Sequence, residues 1–135
     1  MTPRQIELVK VTFAQAAEMR PALGERLYAR LFDARPDLVG LFRGDRAHQA
    51  HAVLEMLDTI IGCMDVQDRV VPLVFELGRR HCAYGVRSGH YQVFGDALLG
   101  ALQDELGDRF GAEERAAWLA AYGFMAEIMG EATLD

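Results

Sequence analysis

Apolar residues recur along this chain at helical spacing, and no stretch alternates with the period of two that a half-buried strand requires. Thr2, Pro3 and Gln5 form a capping box with proline at the first helical position. The helix that follows turns Ile6, Val9, Phe13 and Ala17 inward. A second helix, from about Pro21 to Ala34, carries Leu27, Tyr28, Leu31 and Phe32 on its apolar side. Pro36 opens a short helical turn that ends near Phe42, and Arg43 to Asp45 read as a loop with Asp45 as an N-cap. A long helix then runs to about Met64, followed by a polar linker from Asp65 to Arg69. Pro72 opens the next helix, which Gly85 ends. Ser88 caps a further helix that reaches Leu106, Gly107 to Glu114 hold a turn, and the last helix spans about Ala112 to Ala132. The pattern predicts an all-α domain of about six long helices and one short one.

The totals change this picture little, but they exclude several functions. A chain of 135 residues suits one domain, 1–135, with one core and no room for a second catalytic domain. Half of the residues are hydrophobic and a quarter charged, as in ordinary globular proteins. The net charge is −6 and no basic face emerges, so nucleic acid is not an expected partner. Cys63 and Cys82 do not make a disulfide framework, and neither belongs to a CxxC or a CxxCH motif. The N-terminal stretch MTPRQIELVK has no signal-peptide core, and the apolar runs are too short to span a bilayer. The expectation is a cytoplasmic protein without a membrane partner.

One position does not fit a plain core. In LGRRHCAYGV, His81 lies within about 40° of Leu77 and about 20° of Val74 around the helix axis, on the apolar side. Arg79, Arg80 and Glu76 lie about 100° or more away, on the wet side. A buried imidazole must satisfy two ring nitrogens. The carbonyl of Leu77, four residues back, can take one, and the other needs a partner across the interior. A core histidine bonded to a neighbouring helix meets that need. So does a metal or haem ligand, whose second nitrogen usually bonds a backbone carbonyl.

The long helix after Asp45 carries the facing residues. Val53, Met56, Leu57, Ile60 and Met64 share one side, and Gln49 falls among them, within about 40° of Val53. A glutamine there is costly without a partner or a ligand. His48, His51, Glu55 and Asp58 share the opposite side, where a solvated polar face is the favoured reading over a metal patch. Tyr28 presents a hydroxyl to the interior from the second helix. Gly24, in the interior of that helix, points to a close crossing against small Ala50.

Taken together, these residues resemble the bacterial globins, both single-domain bacterial haemoglobins and the haem domain of flavohaemoglobins. The segments LYARLFDARPDLVGLF, LGRRHCAYGVRSGHYQVFGDALLGALQDELGD and AAWLAAYG carry the likeness, which covers essentially the whole chain. It implies a three-over-three globin fold around one b-type haem. It implies His81 as the proximal iron ligand and Phe42, six residues after Pro36, as the phenylalanine packed on the porphyrin. Tyr28 and Gln49 match the distal residues facing the sixth position, and Val53 the aliphatic residue over the haem. Tyr91 and Val93 match the proximal wall, with Leu77 one turn before the ligand.

The implied function is reversible binding of O₂, NO or CO, as oxygen store, carrier or scavenger. NO dioxygenation becomes open to it when an external reductase is supplied, because no flavin and nicotinamide domain is expected before the chain ends at Asp135. A gas-sensing or regulatory globin acting through a partner is the alternative, and a cofactor-free helical interaction domain the third reading. A monomer or a weak homodimer is expected. At one position the chain departs from flavohaemoglobins. They set a glutamate of the last helix beside the tyrosine at the Tyr91 position, and an ungapped count from Tyr122 puts Thr133 there. Glu131 falls about 180° round the helix from Tyr122. Cys82 lies about 100° from His81 and is expected to be an inert thiol, not a second ligand.

Overall fold

The capping box forms at the head of α1 (Pro3–Ala17). The Gln5 N–H donates to Thr2 Oγ1 at 3.1 Å, and the Thr2 N–H donates to Gln5 Oε1 at 3.0 Å. The remaining helices are α2 (Arg20–Ala34), α3 (Arg46–Gly62), α4 (Gln67–Ala83), α5 (His90–Leu106) and α6 (Ala112–Ala132). Short 3-10 turns cover Pro36–Leu41 and Gly107–Arg109. The structure, a computed structural model, describes residues 1–18, 20–42 and 44–133. Arg43, read above as part of a loop, lies outside them. Six long helices and no strand among the described residues match the all-α reading.

Packing follows the apolar stripes. Helix α6 serves as the central post, with α1 and α4 laid on it, while α2 packs on α5 and α3. The stripe of α1 runs through Val9, Thr12, Phe13 and Ala16; Ala17 is only half-buried. A threonine earns a core position there because its polar atom is satisfied. Trp118 Nε1 donates to Thr12 Oγ1 at 2.7 Å, and the Thr12 hydroxyl donates to the Leu8 carbonyl at 2.7 Å.

Two glycines set the crossings that shape the interior. A Cβ on Gly24 would stand 2.8 Å from Ala50 Cβ, so α2 and α3 cross as closely as the sequence suggested. A Cβ on Gly78 would stand 2.8 Å from both Cα and O of Met129, so α4 rests on the backbone of α6 one turn before His81. Consecutive helices α3 and α4, by contrast, make little contact with each other.

Two boundaries differ from the sequence reading. Helix α4 starts at Gln67, so Pro72 lies in its second turn instead of opening it. Fully buried Val70 accounts for the extra turn, because helical geometry puts it on the same side as Val74. Proline's fixed φ suits the helix, but at this position it forgoes the backbone bond to Asp68 and its ring crowds that carbonyl. Helix α5 has Gly89 as N-cap and no side-chain cap, so Ser88 does not cap it. The ring of His90 reaches back instead, with Nδ1 accepting the Arg87 N–H at 3.0 Å. No helix among the described residues is long and apolar enough to cross a membrane.

Candidate functional site

His81 sits in the last turn of α4, half-buried, with Arg79, Arg80 and Glu76 exposed as their positions required. Its Nδ1 lies 2.7 Å from the Leu77 carbonyl, the partner expected from the helical register. A carbonyl oxygen only accepts, so the proton of the neutral ring is on Nδ1 and the lone pair is on Nε2. Nε2 has no hydrogen-bond partner among the described residues. The chain exit behind the imidazole is fixed as well. The Val86 N–H donates to the His81 carbonyl at 3.0 Å, and the Gly85 N–H donates to the Cys82 carbonyl at 3.1 Å. This closure needs a left-handed residue, and Gly85 supplies it with φ +95°.

Tyr91, from the start of α5, packs its ring against His81 with centroids 6.4 Å apart at 63°. Its hydroxyl lies 2.8 Å from Thr133 Oγ1, and the Thr133 hydroxyl donates to the Met129 carbonyl at 2.7 Å. Thr133 has a single proton, so Tyr91 is the donor to Thr133. The place beside the Tyr91 hydroxyl is thus held by a threonine, as the helical count required. Tyr122 supports the same wall by donating to the Tyr91 carbonyl at 2.6 Å. Burial pushes its phenol well above the usual range, with Tyr91 and Asp96 adding to the shift.

A second group is an aromatic cluster around Tyr28. The Tyr28 ring stacks on Phe32 with centroids 5.7 Å apart and meets Phe42 edge-on at 5.2 Å. Phe32 and Phe42 meet edge-on at 5.4 Å, and the Arg46 guanidinium lies 4.8 Å from the Phe32 centroid. Tyr28 is 2% exposed, and burial pushes its phenol up to about 12. Its hydroxyl reaches the backbone carbonyl of Gln49 at 3.4 Å, a long bond. Gln49 itself is half-buried on α3.

Phe42, Val53, Met56, Leu77 of α4 and Val93 of α5 are half-buried apolar side chains packed against the core. The structure therefore joins His81, Leu77 and Tyr91 in one group and Tyr28, Phe42 and Gln49 in another. Val53 and Val93 pack on the same core. Phe32 was read from the sequence only as an apolar residue of the second helix, and Arg46 was not singled out, because its contact with Phe32 crosses between helices and leaves no local signal.

The histidine-rich side of α3 is a solvated face. His51 and Glu55 are 62% and 55% exposed and 3.7 Å apart. Among the described residues no group of three or more histidine, cysteine or acidic side chains is placed to hold a metal ion. Cys63 is buried and Cys82 half-buried, and neither is in a disulfide.

The all-helical fold has a solved counterpart. The crystal structure of a hexacoordinated heme protein from an anhydrobiotic tardigrade superposes with a TM-score of 0.88, covering 98% of this chain and 94% of that one. Identity to it is 18%, so the likeness bears on the fold alone. The globin family model matches residues 25–129, and the chain belongs to the globin family. Among curated relatives, the flavohemoprotein of Bacillus subtilis (strain 168) is 27% identical over 127 residues, 92% of this chain. The flavohemoprotein of Deinococcus radiodurans is 29% identical over 132 residues, 96% of this chain. The chain spans about a third of the length of these relatives, 32% and 33%.

Proposed function

We propose that residues 1–135 form one globin domain that holds haem b through His81 and reversibly binds O₂, and also NO or CO. The observation that carries this reading is the 2.7 Å bond from His81 Nδ1 to Leu77, which leaves the lone pair of Nε2 unshared. The residues fit the group on two counts. A neutral imidazole with its tautomer fixed by a backbone carbonyl is a ready iron ligand. Phe42, Val53, Leu77 and Val93 are half-buried apolar side chains, and a flat macrocycle would take their exposed surface out of water. Haem, once bound, supplies iron with a coordination position for a diatomic gas.

The chain's own residues then set what that position favours. Tyr28 carries a neutral hydroxyl at neutral pH and gives up only a long bond when it turns to a ligand. Gln49 is the second polar residue on that side. Tyr91 packs on His81 but its hydroxyl donates to Thr133, and His81 Nδ1 donates to the Leu77 carbonyl. Without a carboxylate in that arrangement, the imidazole stays neutral, which favours reversible binding over peroxidase-like chemistry. NO dioxygenation is open to the same site when a separate reductase supplies electrons.

Oxygen titration of the ferrous protein, followed by NO addition with and without a reductase, tests the reading. The expected result is reversible O₂ uptake, with repeated NO consumption only when the reductase is present. Immediate oxidation of the iron at every O₂ addition would overturn it.

A further inference from the structure

Between α5 and α6 lies a cavity of about 520 Å³ that gas binding does not use. Small-molecule sites commonly measure roughly 300–1,000 Å³. Its floor is Tyr91, Gly95, Leu99 and Tyr122, and its rim carries Asp96 from α5 and Glu127 from α6.

The floor is fixed in advance. Gly95 lets the Tyr122 ring lie on the backbone of α5; a Cβ there would stand 2.8 Å from Tyr122 Cδ2. Tyr122 also stacks on Phe94 with centroids 6.5 Å apart at 22°, and its hydroxyl is committed to the Tyr91 carbonyl. It therefore offers the cavity a ring and not a donor. The rim carries like charge from both helices. Asp96 accepts a long 3.4 Å bond from Gln92, and neither Asp96 nor Glu127 has a cationic partner among the described residues. An aromatic floor under two uncompensated carboxylates is complementary to a cation with an apolar body. An anion of the same size would meet only repulsion at the rim.

One floor residue connects this cavity to the site above. Tyr91 lines it and also packs against His81 at 6.4 Å. We infer that the α5–α6 cavity binds a small organic cation with an apolar body, and that Tyr91 transmits its occupancy to His81. The first half stands on the cavity alone, while the second rests on the haem reading.

Calorimetric titration of the purified holoprotein with phenethylammonium, and separately with 3-phenylpropionate, tests the first half. Binding of the ammonium and not of the carboxylate is expected. The isosteric double variant Asp96→Asn/Glu127→Gln, checked for native helicity, should bind the ammonium about tenfold more weakly. Equal binding of the two probes, no binding, or a double variant that binds like wild type would overturn the site. For the second half, phenethylammonium at about its wild-type Kd should shift the CO-release rate of the wild-type ferrous protein and shift that of the double variant several-fold less. An unchanged wild-type rate would remove the link to His81. A protein without haem would give no CO signal at all, while calorimetry would still report on the cavity.

Discussion

Replacing His81 with alanine is expected to leave the protein almost without haem. His81 brings a nitrogen lone pair that its own hydrogen bond does not consume. Alanine removes that donor and leaves the aliphatic side chains, which hold a macrocycle by apolar contact only. Haem content after purification should therefore fall to a small fraction of wild type. Imidazole added during reconstitution should restore a wild-type-like spectrum, because free imidazole can take the place of the missing ring. The helical fold should persist, since His81 is half-buried and its bond to Leu77 is internal to α4. A His81→Ala protein that keeps normal haem content and spectrum would remove the assignment and leave His81 a core histidine.

Tyr28→Phe has the second largest expected effect. The ring is held by Phe32 and Phe42, so phenylalanine preserves the packing and removes only the hydroxyl. That hydroxyl makes a long 3.4 Å bond to the Gln49 carbonyl, which it loses little by leaving. Its donation favours a ligand with partial negative charge, as O₂ carries far more than CO does. A hydrogen bond to a charged group contributes roughly 1.5–3 kcal/mol, so O₂ release should speed up about ten- to a hundredfold. CO release should change much less. Gln49→Leu should act in the same direction but less, because leucine keeps the backbone carbonyl that meets Tyr28. The pH dependence follows from burial, which raises the phenol to about 12. Because the pKa is raised, the proton is present throughout the neutral range and donation is lost only as pH climbs toward that value. Wild-type O₂ release should therefore not change with pH between neutrality and about 10 on account of Tyr28. Stopped-flow O₂ and CO release decides the point: unchanged or slower O₂ release from Tyr28→Phe would make Tyr28 a packing residue.

How much of this was legible in the sequence depended on how local each signal is. The Leu77 carbonyl as partner of His81 follows from helical register. The close crossing at Gly24 follows from a glycine inside a helix, and Thr133 beside Tyr91 from an ungapped count against the flavohaemoglobin pattern. The two misplaced helix starts have another origin. Pro72 is a common opening residue, but burial of Val70 favours an earlier start, and burial is a tertiary fact. Ser88 has the right chemistry for a cap, yet the ring of His90 takes the Arg87 N–H at this end. The Arg46 contact with Phe32 and the cavity between α5 and α6 were not legible at all. Both arise where two elements distant in sequence meet, and nothing in the local pattern of either element announces the other.

The resonance Raman spectrum of the wild-type ferrous protein without added ligand tests the central claim most directly. It asks at once whether haem is bound, whether a histidine holds the iron, and what charge that histidine carries. An iron–histidine stretching band at the low frequency of a neutral imidazole is expected, because the His81 partner is the Leu77 carbonyl and Tyr91 donates to Thr133. Absence of that band in the five-coordinate protein, or a high, imidazolate-like frequency, would contradict it.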